Sequence, residues 1–339
     1  MMFSCSRKPS RSDQFKKLLG NHIETPHWNI YHDGGWKKSS GSISKGSCTI
    51  NCEKGLDLNF GEVRDFPIYY NDHTISNFDK SLGKNLPVDG VLHDNGEKFS
   101  VSYTDNFYTD HEQASNFKES VDLVKSSIIE NLQNINKNTK NWLPDQSGID
   151  TLTIRSALDF LKIPYQLFNF KNKRPDTTNL CTELLKSHWG FNQIPEYDGN
   201  VFTGFYGDEF VLRNPYYVHV ILSIRGIDIT EIFDARPECY MFNYFENYRK
   251  KCSVRSNKNL NQLKEMIMND FQVWDLNSTT FVNPFRNTKL LGLLYADDDT
   301  IISQATDAAI NKKIITDFNP ALLEKLDLFK NQNDPYWFD

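Results

Sequence analysis

The sequence predicts an α/β protein, a parallel sheet flanked by helices and preceded by a small β-rich domain. Three observations predict it. Short alternating segments broken by turn signals run from about Trp28 to Tyr103, and from Ala114 onward apolar residues recur at helical spacing. Between Trp142 and Phe170 an apolar strand, a polar loop, a helix and a second apolar run follow one another as a βαβ unit. At 339 residues and 39% hydrophobic content, the chain can build two domains with sizeable cores.

Residues 1–20 carry Arg7, Lys8, Arg11, Lys16 and Lys17 and read as a loose basic lead. Residues 21–103 form the β-rich domain, because Asp33-Gly34-Gly35, Gly41, Gly46, Asn71-Asp72, Asp89-Gly90 and Asn95-Gly96 mark turns at short intervals. The second domain, 104–339, opens with a linker-like stretch from Thr104 to Gln113. A helix follows from about Ala114 to Ile135, on which Phe117, Val121, Val124, Ile128, Ile129 and Leu132 share a face. The segment Trp142 to Ile154 leads into a helix from about Leu152 to Leu161, and Tyr165 to Phe170 suits a buried parallel strand. Further helical or mixed segments fall at about 176–190, 209–224, 239–252, 259–274, 287–295, 303–317 and 320–329.

The composition excludes several classes. A net charge of -6 argues against a broad electrostatic footprint for nucleic acid. No apolar run is long enough for a signal peptide core or a membrane span, and the six cysteines are scattered, so the expected setting is the reducing cytoplasm. Cys48 and Cys52 lack a second pair at zinc spacing.

The polar loop is the strongest site signal. Ser147 and Gly148 let backbone N–H groups approach phosphate, Thr151 adds a hydroxyl, and the following helix points its positive end at the anion. Asp150 is placed to hold a metal ion. The same residues also read as an ordinary helix cap. Later, Val201-Phe202-Thr203-Gly204-Phe205-Tyr206-Gly207-Asp208-Glu209 sets an apolar strand before a glycine-flanked acidic pair. Ligands gather beyond the carboxyl ends of parallel strands, so Asp208 can meet Asp150 there. Two carboxylates converging on a triphosphate would share Mg²⁺. The plain alternative is a turn capped by Asp208, with Glu209 in the first helical turn.

Taken together, these pieces resemble the asparagine synthetase family over roughly residues 55 to 332. Gln146-Ser147-Gly148-Ile149-Asp150-Thr151 resembles the family's SGGxDS pyrophosphate loop, with Gln146 for the first Ser, Ser147 for the first Gly, and Thr151 keeping the hydroxyl. Gly204 to Glu209 resembles its G-x-G-x-D-E segment. Phe66-Pro67-Ile68-Tyr69-Tyr70 and Leu86-Pro87-Val88-Asp89-Gly90 look like the end of its N-terminal domain and the turn after it. Asn283-Pro284-Phe285 and the stretch from Lys312 to Lys330 look like its late Pro-Phe-Leu-Asp and Arg-x-Lys segments.

The resemblance implies a PP-loop, adenine nucleotide alpha hydrolase-like sheet behind an Ntn-like remnant domain. It implies an AMP-forming ligase that adenylates a carboxylate, releases pyrophosphate and forms an amide or related C–N bond, with asparagine biosynthesis as the family default. Gln146, Ser147, Gly148, Asp150 and Thr151 would embrace the pyrophosphate of ATP, Asp150 and Asp208 would hold Mg²⁺, and adenine would lie beside the strand at Leu167. Lys330 would stabilise charge on the intermediate, with Lys325 as a competitor.

Two departures are expected to matter. Phe205 stands where the family has a Glu, and Met1-Met2-Phe3-Ser4-Cys5 offers no cysteine to a processed terminus. The β-rich part is about half the family's length, so a truncated domain without glutaminase activity is expected. The amine would come from free ammonia, from the substrate or from a partner. Other readings are a PP-loop enzyme of nucleobase or tRNA modification, and a pseudoenzyme with a binding or assembly role.

Tyr295-Ala296-Asp297-Asp298-Asp299 resembles a polymerase metal motif, but it lacks companion motifs and reads as a solvated acidic turn. His22, His27 and His32 have no common face, and His219 sits in an apolar run as a buried histidine would.

Overall fold

A computed structural model describes residues 3–8, 19–25, 27–32, 36–39, 42–45, 48–51, 56–59, 68–77, 80–86, 90–94, 99–103, 112–133, 135, 139–168, 199–204, 207–239, 242, 245–246, 259–269 and 279–327. For Asp208 and Glu209 only the backbone is described. The protein is mixed α/β. It divides into two compact units, one drawn from Met1–Phe107, Lys173–Asp198 and Met268–Thr280, the other from Tyr108–Asn172, Gly199–Ile267 and Phe281–Asp339.

The first unit is built from β1 (Phe3–Arg7), β2 (Asn21–Glu24), β3 (Trp28–His32), β4 (Lys37–Ser39), β5 (Ser42–Lys45), β6 (Cys48–Asn51), β7 (Asp57–Asn59), β8 (Tyr69–Tyr70), β9 (Thr74–Ser76), β10 (Lys84–Asn85), β11 (Gly90–Asp94) and β12 (Phe99–Tyr103). One antiparallel sheet has the order β10-β8-β9-β1-β3-β2, a second is the meander β4-β5-β6-β7, and β11 and β12 form a hairpin. Residues 3–7, read from sequence as part of a loose lead, instead form a central strand. Their period-two alternation, Phe3 and Cys5 against Ser4 and Ser6, is a strand signature that the basic residues after it obscured. Cys5 pairs in register with Ile30 and Ile75 and is fully buried in the core beside Phe3, Trp28 and Ile50. The serines of the other face bond to the backbone: Ser4 Oγ donates to Ile75 O (3.3 Å), and Ser76 Oγ donates to Phe3 O (3.3 Å). At the strand's end Arg7 sits 5.2 Å from the Trp28 ring and 5.4 Å from the Phe99 ring, and it meets Asp94 at 2.5 Å. That contact ties β1 to the β11 hairpin.

The second unit is built from α1 (Phe117–Gln133), β13 (Asn141–Pro144), α2 (Ile149–Phe160), β14 (Gln166–Phe168), β15 (Gly199–Phe202), α3 (Gly207–Phe210), α4 (Pro215–Ile224), α5 (Ile229–Asp234), α6 (Leu260–Asn269) as far as Ile267, β16 (Thr279–Val282) from Phe281, a 3-10 segment (Thr288–Tyr295), α7 (Asp298–Asp307), α8 (Ala309–Phe318) and a second 3-10 segment (Pro320–Lys325). Helix α1 starts where Asn116 Oδ1 accepts from Glu119 N (3.1 Å) while Glu119 Oε2 accepts from Ser115 N (2.8 Å), a reciprocal cap. The sheet order is β14-β13-β15-β16. β13 runs parallel to β14, pairing Leu143 with Leu167, and parallel to β15, pairing Trp142 with Val201. The chain leaves β13 for a neighbour on one side and later returns on the other. This places a topological switch point at the carboxyl ends of β13 and β15.

Several expected segments are subdivided. The helix expected over 303–317 is α7 and α8, separated by Ala308 in the left-handed region (φ 53°). The 209–224 segment is α3 and α4, joined through Leu212 at φ 54° and an Asn214 cap on Tyr216 N (3.0 Å). The expected helix over 176–190 lies outside the described residues, as does most of the 239–252 segment. Among the described residues, no helix is long and apolar enough to cross a membrane. The acidic turn is a helix cap: Asp297 Oδ1 accepts from Thr300 N (2.7 Å), and Arg225 donates to Asp298 Oδ1 (2.6 Å), Ala296 O (2.7 Å) and Leu294 O (2.9 Å).

Candidate functional site

The loop after β13 is short and held at both sides. Asp145 N donates to Phe168 O (2.7 Å), anchoring it to the end of β14, and Gln146 N donates to Pro144 O (3.0 Å). Ser147 O accepts from Asp327 N (3.1 Å), so the chain following the last 3-10 segment passes beside the loop. Helix α2 begins at Ile149, earlier than the sequence suggests, so Asp150 and Thr151 lie in its first turn rather than in the loop. Its N-cap is Gly148, in an extended conformation (φ -67°, ψ 144°), which has no side chain to close the first-turn N–H groups. The serine or aspartate cap considered from sequence is therefore not made at this position. The helix presents amide donors and its positive end to the space above β13.

The loop after β15 comes to the same place. A Cβ on Gly204 would stand 2.8 Å from Asp150 Cβ and 3.2 Å from Thr151 N, and a Cβ on Gly207 would overlap the Asp150 carboxylate. Neither glycine is needed for an unusual φ. Gly204 is needed because its backbone closely approaches that of α2, and Gly207 because the Asp150 side chain occupies the space a Cβ would take.

Asp150 is engaged by a residue that the sequence reading missed. Arg213 Nη2 forms an ion pair with Asp150 Oδ2, and both side chains are largely withdrawn from solvent, at 4% and 19% exposure respectively. Arg213 follows the left-handed Leu212 turn. A fully buried polar chain supports that turn: Gln304 Nε2 donates to Val211 O (2.8 Å) and to Asn311 Oδ1 (2.7 Å), and Asn311 Nδ2 donates to Thr153 Oγ1 (3.2 Å) on α2. The available signal was a lone charge, Arg213, directly after the apolar Phe210-Val211-Leu212.

The remaining site residues divide. Gln146 is exposed, Ser147 and Gly148 are half-buried, Thr151 is buried, and Leu167 is exposed on β14. Asp208 lies on α3, close in sequence to Gly207, but its side chain is outside the described residues. Lys330 also lies outside them; Lys325 is exposed at the end of its 3-10 segment. Behind the loop, Tyr165 donates to Asp159 Oδ1 (2.8 Å) and accepts from Arg155 Nε (3.2 Å). Burial, then the Asp159 carboxylate, push the Tyr165 phenol above its ordinary pKa.

A magnesium ion on Asp150 fits this arrangement poorly, because a guanidinium already lies against the carboxylate and glycine backbone covers its flank. Among the described residues no group of three His, Cys, Asp or Glu is placed to share a cation. His219 is buried within α4, and Cys5 lies in the core of the first unit, where a thiol is packing material. Comparison with protein-family models gave no match, and comparison with curated proteins gave none either.

Proposed function

We propose that the second unit is a PP-loop-like domain that binds the polyphosphate of ATP at the amino end of α2. It then activates a carboxylate as an acyl-adenylate, releasing pyrophosphate, for attack by an amine. One observation carries this reading: the loops after β13 and β15 converge at the switch point, with Gly204 and Gly207 packed on the first turn of α2. The asparagine synthetase-like order of motifs supplies the reaction class. Ser147, Gly148 and Thr151 would line the phosphates, Leu167 would offer apolar surface to adenine, and Lys330 would meet the developing charge. Ammonia would reach the site from solution or from a partner.

A second reading is favoured by the Asp150–Arg213 pair. A loop whose acidic residue is neutralised from within suits a divergent protein that binds nucleotide without turning it over. Exchange of radiolabelled pyrophosphate into ATP, driven by candidate carboxylates, separates the two. The ligase reading expects carboxylate-dependent exchange that Asp150→Ala abolishes. ATP binding without exchange across the carboxylates would leave the binding role, and exchange untouched by Asp150→Ala would refute the assignment of this site.

A further inference from the structure

The environment of Asp150 departs from a metal-binding carboxylate in three independent ways. The guanidinium paired with it is almost fully withdrawn from solvent, and a buried cation depends on neighbouring negative charge because it has given up its hydration. A divalent ion on Asp150 would set like charges a few ångströms apart in a poorly solvated place. The carboxylate is also crowded on one side by Gly207, where a single added carbon would overlap it. Magnesium needs an octahedron of oxygens at about 2.0–2.1 Å and usually keeps several waters in it. Finally, Arg213 does not arrive by a chance rotamer. The left-handed Leu212 and the Gln304–Asn311–Thr153 chain fix the turn that delivers it, and that chain ends on α2, the helix that carries Asp150.

We infer that Asp150 is a structural counter-ion to Arg213 rather than a metal ligand, and that the loop takes ATP as its metal-free anion. This rests on the nucleotide reading of the site. The paired arginine removes the repulsion that a bare carboxylate would exert on phosphate, which is the service a metal ion would otherwise give, and the amide groups of α2 meet the anion directly.

Calorimetric titration of the full chain with ATP, once with excess magnesium and once with a chelator, tests the inference. The expected dissociation constants agree within about threefold, well under the tenfold that corresponds to about 1.4 kcal/mol. Binding weakened by more than about tenfold in the chelator would overturn the inference while leaving the nucleotide reading intact. Absence of binding in both conditions would overturn both. Arg213→Gln, which removes the guanidinium charge beside Asp150, is expected to make ATP binding dependent on magnesium, and a folded variant that binds equally in both conditions contradicts the counter-ion role. If the variant does not fold, the two wild-type titrations still decide.

Discussion

At the scale of single residues, the site depends on groups chosen for what they leave out. Gly204 and Gly207 have no side chain because the first turn of α2 occupies that space. Gly207→Ala is expected to displace the Asp150 carboxylate and disturb its pairing with Arg213. ATP binding should weaken at least about tenfold while the circular dichroism spectrum is unchanged, a cost in the range for overpacking a tight site. Unchanged binding would show that the close approach has no bearing on the ligand. The sequence made the glycines and Asp150 visible, because their types and spacing are the motif. It did not show Arg213, whose role depends on where a left-handed turn at Leu212 sends it, and a bulky branched residue gives little notice of such a turn.

Among elements, α8 does the most to hold α2 in place, packing on both α2 and α1. Its last turn carries Asp317, which pairs with Lys125 of α1 and, at 2.5 Å, with Lys313. Hydrogen bonds from Lys125 and then Lys313 hold the Asp317 carboxyl below its ordinary value of 3.8. A carboxyl with a lowered folded-state pKa stabilises the fold above its ordinary pKa, and that contribution fades as pH falls through the lowered value. Asp317→Asn should therefore cost about 0.5–1 kcal/mol near neutral pH, the usual size for a partly exposed pair. The deficit should shrink below about pH 4, which denaturant titrations across that range would measure; a deficit constant with pH would contradict it. Helical periodicity disclosed α1 and the existence of the late helices. It could not disclose their subdivision, since Ala308 is a good helix former held left-handed by its tertiary setting. The alternation that makes β1 a strand was overshadowed by the basic residues after it.

For the whole molecule, two units carry different content. The first is an antiparallel β structure whose core takes in Cys5, and the second holds a parallel sheet with the convergent loops. The change from strand-period to helix-period pattern was legible because the periods of 2 and 3.6 are set by backbone geometry. The pairing β14-β13-β15-β16 was legible only as a parallel class, because strand order depends on crossovers that no local pattern encodes. Amide hydrogen exchange with and without ATP reads out whether nucleotide phosphate sits at the amino end of α2. Exchange is expected to slow at residues 146–152, at Gly204 and at Gly207, with the sheets of the first unit unaffected. Protection confined to the first unit, or no change around Gly148 under conditions where ATP is bound, would contradict that placement.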